Sequence, residues 1–198
     1  MFSPILRALS FVPRWQIAPR VRTTSVAEHS FFVAVYTMEL LAHKPDWTEA
    51  KKRAALSYAL THDMPEAVTG DMPGPVKRAV TNPRELEAYE ERALMGMGFS
   101  TAMADNDIRA LVKVADLIDD LFYLHGERGL GNRMLGEGLT QVEERLGAAV
   151  EAAGLPLTVV QTAVARARAM ELVGAPLPRN HHSTDPLTPD RDKDIPIR

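Results

Sequence analysis

The sequence predicts an all-α fold of six to eight helices. Apolar residues recur mostly at spacings of three and four, as on one face of a helix. The alternating pattern typical of strands is rare. Ala, Leu, Glu and Arg, which favour helices, dominate the composition. Together these observations indicate a compact helical globule.

The first predicted helix begins at a capping box. Ser25 and Glu28 are three residues apart, so each side chain can satisfy the other's free backbone N–H group. This helix is expected to run to about Ala42. A second helix is expected from about Thr48 to His62.

Four further helices are predicted in the rest of the chain. Asn82 and Pro83 form a start signal, because asparagine caps a helix and proline fits its first turn. Glycine and proline separate the last two helices. The approximate predicted limits are Asn82–Gly96, Asp105–His125, Met134–Ala153 and Leu157–Val173.

Two stretches break the helical pattern. Three prolines and two glycines lie between Asp63 and Ala79, a composition that usually holds a loop in a fixed shape over a site. From residue 176 to 198 the chain is Pro-rich and charged, so it cannot form a core of its own. We therefore predict one domain over residues 1–175, followed by a tail.

The bulk composition excludes several classes of protein. A hydrophobic share of 45% and a charged share of 25% are typical of a globular domain. The absence of cysteine excludes disulfides, zinc–thiolate sites and cysteine nucleophiles. A net charge of −3 argues against binding polymeric nucleic acid. Because neither a signal peptide nor a long apolar span is recognised, we expect a cytoplasmic protein without membrane contacts.

Two histidines and two aspartates are the main candidates for chemistry: His29, His62, Asp63 and Asp116. Imidazole and carboxylate ligands together suit a divalent first-row metal. Neighbours such as His62 and Asp63 are about 100° apart on a helix, and both can turn toward an ion between them. His29 and Asp116, from separate helices, can complete the sphere. Four ligands leave positions open for water or a phosphate oxygen, as hydrolysis requires.

Spacing alone leaves a structural interpretation open, with helix-end histidines and solvated aspartate caps. The surrounding motifs favour the metal site. Six segments occur in order and closely resemble the HD-domain 5′-deoxynucleotidase family: Arg14-Trp15, Ser25-Val26-Ala27-Glu28-His29-Ser30, His62-Asp63-x-x-Glu66, Thr69-Gly70-Asp71-x-Pro73, Pro75-Val76-Lys77 and Lys113-x-Ala115-Asp116. The likeness extends from about Arg14 to Leu124 and implies an HD-domain helical fold.

The resemblance also implies roles. The two histidines and two aspartates match the family's metal ligands, and Mn, Co, Fe, Ni, Zn and Mg all tolerate such a set. Glu66 matches a residue proposed to orient or deprotonate the attacking water. Arg14 matches a phosphate-contacting arginine, whose planar fork suits two phosphate oxygens.

Further matches concern the substrate. Asp71 matches a residue that contacts the deoxyribose and disfavours a 2′-hydroxyl by crowding. Lys77 and Lys113 match cations near the phosphate path. Trp15 would stack on the base or sugar, although an early aromatic residue can equally anchor the N-terminal segment. Gly74 departs from close relatives, which often carry a small hydroxyl residue there, so we do not expect a side-chain hydrogen bond to phosphate or sugar from that position.

The resulting expectation is a metal-dependent phosphohydrolase that cleaves the 5′ phosphoester of small 2′-deoxynucleotides, giving a deoxynucleoside and phosphate. The alternative is a dATP triphosphohydrolase, as in a phage branch of the family, releasing tripolyphosphate. In that case Trp15 would stack on the purine, and apolar Ile17 would offer no partner to an amine at purine position 2. Lys77 and Lys113 would then serve the β and γ phosphates.

Other classes fit less well. A signalling HD hydrolase would need larger loops or a sensor domain, and a nuclease would need a broad basic channel. A non-catalytic nucleotide-binding module is opposed by the intact ligand set and Glu66. The family usually forms homo-oligomers, so we expect at least a dimer.

Overall fold

The structure, a computed structural model, describes residues 4–74, 76–77, 82–100 and 104–172. Pro75 of the resembling segments and the predicted tail at 176–198 lie outside these residues. Within them the chain forms seven α-helices: α1 Val26–Leu40, α2 Glu49–Thr61, α3 Glu66–Thr69, α4 Pro83–Gly96, α5 Asn106–Gly129, α6 Gly136–Ala152 and α7 Thr158–Leu172. The all-α prediction is confirmed, and none of the described helices is long and apolar enough to cross a membrane.

The six predicted helices begin and end close to their expected limits because their end signals act locally. At the start of α1, the Ser25 hydroxyl accepts a hydrogen bond from the Glu28 N–H, and the Glu28 carboxylate accepts one from the Ser25 N–H. The Thr48 hydroxyl caps α2 by accepting a hydrogen bond from the Lys51 N–H. Two short 3-10 helices, Pro4–Ser10 and Leu41–His43, were not predicted.

Helix α5 is the centre of the fold. It is 24 residues long and packs against α1, α2, α6 and α7. Its apolar side chains are almost completely buried, and each contributes about 1.5–3 kcal/mol by leaving water. The largest of them are Ile108, Leu111, Leu117, Leu121 and Leu124. Polar residues on α5 are therefore held on a rigid support.

The N-terminal segment, residues 13–25, is fixed across α5 by buried polar groups. The carboxylate of Glu127 accepts hydrogen bonds from the backbone N–H groups of Val21 and Arg22, at 2.6 and 2.7 Å. The Tyr123 hydroxyl donates to the Arg22 carbonyl at 2.8 Å. These bonds determine where the earlier residues of the segment lie.

The stretch predicted to be a stiff loop contains the single turn α3. Four residues are too few to give a periodic signal, so this helix was missed. Gly70 ends it with a φ of +72°, a left-handed conformation that favours glycine. The chain turns there and brings Asp71 to the cavity described below.

Candidate active site

The four candidate metal ligands come together from three helices. His29 lies in α1, His62 and Asp63 directly follow α2, and Asp116 lies in α5. One ligand atom each from His29, His62 and Asp116 lie within 4.8 Å of one another. The Oδ2 atom of Asp63 lies 3.4 Å from Nε2 of His29 and 3.5 Å from Nε2 of His62.

The donor set fits a metal ion. Both Nε2 atoms, of His29 and His62, are buried and make no hydrogen bond with any described residue. Their Nδ1 atoms are engaged, by Asp119 Oδ2 at 2.7 Å and by the Ala59 carbonyl at 2.8 Å. Two orphaned nitrogens facing carboxylates form a site that suits a divalent transition metal.

The electrostatics of the cluster favour a positive charge at its centre. Burial and Arg14 lower the pKa of His29, but the nearby carboxylates of Asp116, Asp119 and Asp63 outweigh them and raise this pKa to about 10. The surrounding carboxylates therefore favour a positive charge at this position. A bound cation would supply the same charge.

Glu66 also has a buried polar atom without a hydrogen-bond partner among the described residues. Its Oε1 accepts a hydrogen bond from Lys77 at 3.4 Å, while Oε2 is buried without a partner among the described residues. Burial above all, and then the charges of Asp63 and Asp71, raise the pKa of Glu66 to about 8. A carboxyl group with a pKa near neutrality is suited to transferring protons.

Arg14 lies across the carboxylates of the cluster. Its Nη1 is 3.1 Å from Asp63 Oδ2, and its Nη2 is 3.1 Å from Asp120 Oδ1 and 3.9 Å from Asp116 Oδ1. Burial opposes its charge, but these carboxylates raise the pKa of Arg14 further above its usual value. Of its five N–H donors, those not used in these bonds are available to a phosphate.

A cavity of about 690 Å³ opens beside the cluster. This volume is in the range of small-molecule sites. Every site residue predicted from the sequence lines it except His29, which is fully buried behind the wall. The predicted lining residues are Arg14, Trp15, Ile17, His62, Asp63, Glu66, Asp71, Lys77, Lys113 and Asp116.

Trp15 has features of both roles expected for it. Its ring stacks on Tyr123, with centroids 5.7 Å apart and planes at 14°, so it anchors the N-terminal segment. It also lines the cavity, with a φ of +58° that is unusual for a residue other than glycine. Ile17 is 69% exposed at the same cavity. Lys113 pairs with Asp116.

Two groups of residues at the candidate site were not predicted from the sequence. Asp119 and Asp120 follow Asp116 by three and four positions, one helical turn, so this spacing was an available signal. Arg109 and Arg145 also line the cavity. For Arg145 no local signal existed, because its position depends on how α6 packs against α5.

Comparisons with known proteins identify the family of the chain. The family described as 5′-deoxynucleotidase YfbR-like matches residues 1–156. A dATP triphosphohydrolase of Salmonella phage PMBT28 is 34% identical over 139 residues, which are 66% of this chain and 70% of the phage protein. A 5′-deoxynucleotidase of Shewanella oneidensis is 27% identical over 158 residues, 71% of this chain and 81% of that protein.

Solved structures share the helical architecture. The HD phosphohydrolase DatZ of cyanophage S-2L, solved with dA and one catalytic Zn²⁺ ion, gives a TM-score of 0.67 at 19% identity, over 87% of this chain and 97% of DatZ. An HD-domain phosphohydrolase of Listeria innocua gives 0.60 at 22% identity, over 86% and 96%. At such identities the likeness concerns the fold.

Proposed function

The chain belongs to the YfbR-like 5′-deoxynucleotidase family, and we propose that it is a metal-dependent enzyme that cleaves the 5′ phosphoester of 2′-deoxynucleoside monophosphates. The products would be a deoxynucleoside and phosphate. One observation carries the proposal: two buried, unpaired imidazole nitrogens face two carboxylates beside a cavity of about 690 Å³.

His29, His62, Asp63 and Asp116 would hold one divalent cation. When bound, this cation supplies a Lewis acid for the phosphoryl oxygens and for the attacking water. Zinc is the first metal to test, because the DatZ structure contains a catalytic zinc ion. Mn, Co, Fe, Ni and Mg complete the set that these ligands tolerate.

The chain's own residues would orient the reactants. Arg14 would donate to the phosphate from the N–H groups that its carboxylate partners leave free. Glu66 would take a proton from the attacking water on Oε2 and return it to the 5′ oxygen as the P–O bond breaks. Lys77, which contacts Glu66, would bind a phosphate oxygen.

Three further residues would recognise the nucleoside. Asp71 would crowd a 2′-hydroxyl and so select deoxyribose. Trp15 would present to the base the ring that stacks on Tyr123. Ile17 would cover the base edge without offering it a hydrogen bond.

The second candidate is a dATP triphosphohydrolase, which the cations of the cavity wall favour. Lys113 and Arg109 precede Asp116 by three and seven residues on α5, or about 4.5 and 10 Å along the axis. Arg145 extends the row from α6. Neither arginine pairs with a carboxylate among the described residues. A row of cations that extends away from the candidate metal site could bind β and γ phosphates, which a monophosphate lacks.

A comparison of dAMP with dATP tests both candidates. The protein would be loaded with each metal in turn, and released phosphate would be separated from tripolyphosphate. We expect phosphate from dAMP and much less from AMP. Hydrolysis of dATP alone, with tripolyphosphate released, would establish the second candidate. Failure to hydrolyse any deoxynucleotide with any of the metals would reject both.

Asp63→Ala tests the metal assignment. The variant should lose metal content and turnover together. The matched control is Asp107→Asn, which removes an exposed carboxylate at the start of α5 and should keep both. Hydrolysis at the wild-type rate by Asp63→Ala would disprove the assignment.

Arg145→Ala tests whether the cations of the cavity wall bind the β and γ phosphates. If dATP is a substrate, this change should lower kcat/KM for dATP about tenfold, the usual order for a charged hydrogen bond. The same constant for dAMP should stay within about twofold of wild type. An equal loss on both substrates would mean that Arg145 does not contact the β or γ phosphate.

A homo-oligomer of at least two chains is also proposed. It is supported by apolar side chains exposed on α1, at Phe31, Phe32 and Met38. Sedimentation analysis would test it, and a monomer at micromolar concentration would reject it. The cytoplasmic location expected from the sequence stays a prediction.

A further inference from the structure

We propose that Asp119 and Asp120, adjacent carboxylates of α5, are positioning residues with separate tasks. Asp119 orients the metal ligand His29, and Asp120 holds the phosphate-binding Arg14. This rests on the proposed function, because both residues act through groups of that site.

Asp119 determines which nitrogen of His29 faces the cluster. Its Oδ2 lies 2.7 Å from His29 Nδ1, and the imidazole is fully buried, so its ring has a fixed orientation. A neutral imidazole carries one N–H, and with that hydrogen on Nδ1 the lone pair of Nε2 points toward Asp63 and Asp116. A carboxylate on the far nitrogen also makes the ligand more basic. Helix α5 thus supplies both the ligand Asp116 and the partner that orients His29.

Asp120 fixes the second arm of the Arg14 guanidinium. Asp63 binds Nη1 at 3.1 Å, and Asp120 binds Nη2 at 3.1 Å, so the planar fork is held at two points. Without Asp120 the fork would keep one short contact and could rotate about it. Asp120 is within ion-pair distance of neither His29 nor His62 among the described residues, so its effect should reach the phosphate site and not the imidazole ligands.

Helical geometry keeps the two tasks apart. Successive residues of a helix are about 100° apart around its axis. Asp119 accordingly contacts α1 through His29, while Asp120 contacts the N-terminal segment through Arg14. Neither carboxylate can replace the other, and single variants should give different defects.

The experiment compares Asp119→Ala, Asp119→Asn and Asp120→Ala, with Asp107→Asn as the matched control on the same helix. Zinc affinity would be measured by competition with a chelator. Binding of inorganic phosphate to the zinc-loaded protein would be measured by calorimetry, and KM and kcat for the nucleotide substrate would be determined in parallel.

Asp119→Ala should weaken zinc binding about 10- to 100-fold, the usual effect of removing a partner of a metal ligand. Asp119→Asn should lose less, because its amide oxygen still accepts from Nδ1–H. Asp120→Ala should keep zinc affinity within about threefold and weaken phosphate binding about tenfold, raising KM more than it lowers kcat.

Wild-type zinc affinity in both Asp119 variants would overturn the first task. Wild-type phosphate affinity in Asp120→Ala, or a zinc defect as large as that of Asp119→Ala, would overturn the second. If Asp119→Ala does not fold, Asp119→Asn carries the test. The affinities do not require turnover, so an inactive wild-type protein would reject the proposed function while the two tasks are still decided.

Discussion

Helix α5 carries two groups of buried polar residues, one around Asp116 and one around Glu127. They differ in how many of their hydrogen bonds other residues of the protein provide. Around Asp116, the Nε2 atoms of His29 and His62 have no hydrogen-bond partner among the described residues. Around Glu127, about three turns further along, the carboxylate accepts bonds at 2.6 and 2.7 Å from backbone N–H groups and at 2.9 Å from Asn132. The first group is open to a ligand, whereas the second is complete within the chain.

This difference indicates what each group contributes. A buried polar atom without a partner costs about 1–3 kcal/mol. Near Asp116 the two Nε2 atoms face carboxylates, and a bound cation would satisfy them. Near Glu127 the hydrogen bonds of the buried carboxylate stabilise the N-terminal segment that carries Arg14. Substitutions around Asp116 should therefore lower mainly activity, whereas substitutions around Glu127 should lower mainly stability.

The largest expected effect is the loss of activity in His62→Ala. Removing a proposed ligand should weaken metal binding more than about 100-fold and reduce turnover by about three orders of magnitude. The free energy of unfolding of the metal-free protein should change by only about 1 kcal/mol, since one hydrogen bond, to the Ala59 carbonyl, is lost. Activity assays and urea unfolding would measure the two quantities.

Metal addition sharpens this prediction. A metal that binds the folded state raises Tm by mass action. Wild-type protein should show this rise, and His62→Ala should not. A full thermal shift in the variant would mean that the ion binds elsewhere.

The reverse pattern is expected for Glu127→Ala. The side chain is 1% exposed, so its removal leaves the N–H groups of Val21 and Arg22 and the Asn132 amide without their acceptor. The free energy of unfolding should fall by about 3 kcal/mol. Zinc affinity should stay near the wild-type value. We call the hydrogen bonds from Glu127 and Tyr123 to the segment the N-terminal clamp. A variant of wild-type stability would show that the Glu127 bonds of this clamp do not stabilise the fold.

The pH dependence of stability tests the contribution of the Glu127 carboxylate without removing the side chain. Burial raises the pKa of Glu127, but hydrogen bonds from Asn132, Val21 and Arg22 outweigh it and leave the pKa lowered. A lowered folded-state pKa gives stability that is present above the unfolded pKa and lost as the pH falls through the folded one.

The stability difference between wild type and Glu127→Gln should therefore be largest above about pH 5 and shrink below about pH 4. Urea unfolding of both proteins across this range would measure it. A difference that stays constant down to pH 3 would contradict the lowered pKa.

The two groups also differ in how far the sequence predicted them. The candidate metal ligands could be proposed because they lie in short motifs, and α1 was predicted correctly because Ser25 and Glu28 signal its start locally. Glu127 gave no signal, since one glutamate in a helix resembles a solvated residue until the N-terminal segment packs on it. The positions of Asp119 and Arg145 likewise depend on contacts between helices far apart in sequence.

The smallest expected effect is that of Tyr123→Phe, which separates the two components of the N-terminal clamp. The change removes the hydroxyl that donates to the Arg22 carbonyl at 2.8 Å but keeps the ring that stacks on Trp15. One hydrogen bond is lost, so the free energy of unfolding should fall by about 1 kcal/mol, a third of the effect of Glu127→Ala. KM should stay within about twofold, because the stacked pair keeps Trp15 at the cavity. A larger rise in KM at unchanged stability would show that the hydroxyl positions the segment for the substrate, and the clamp and the site would then not be separable.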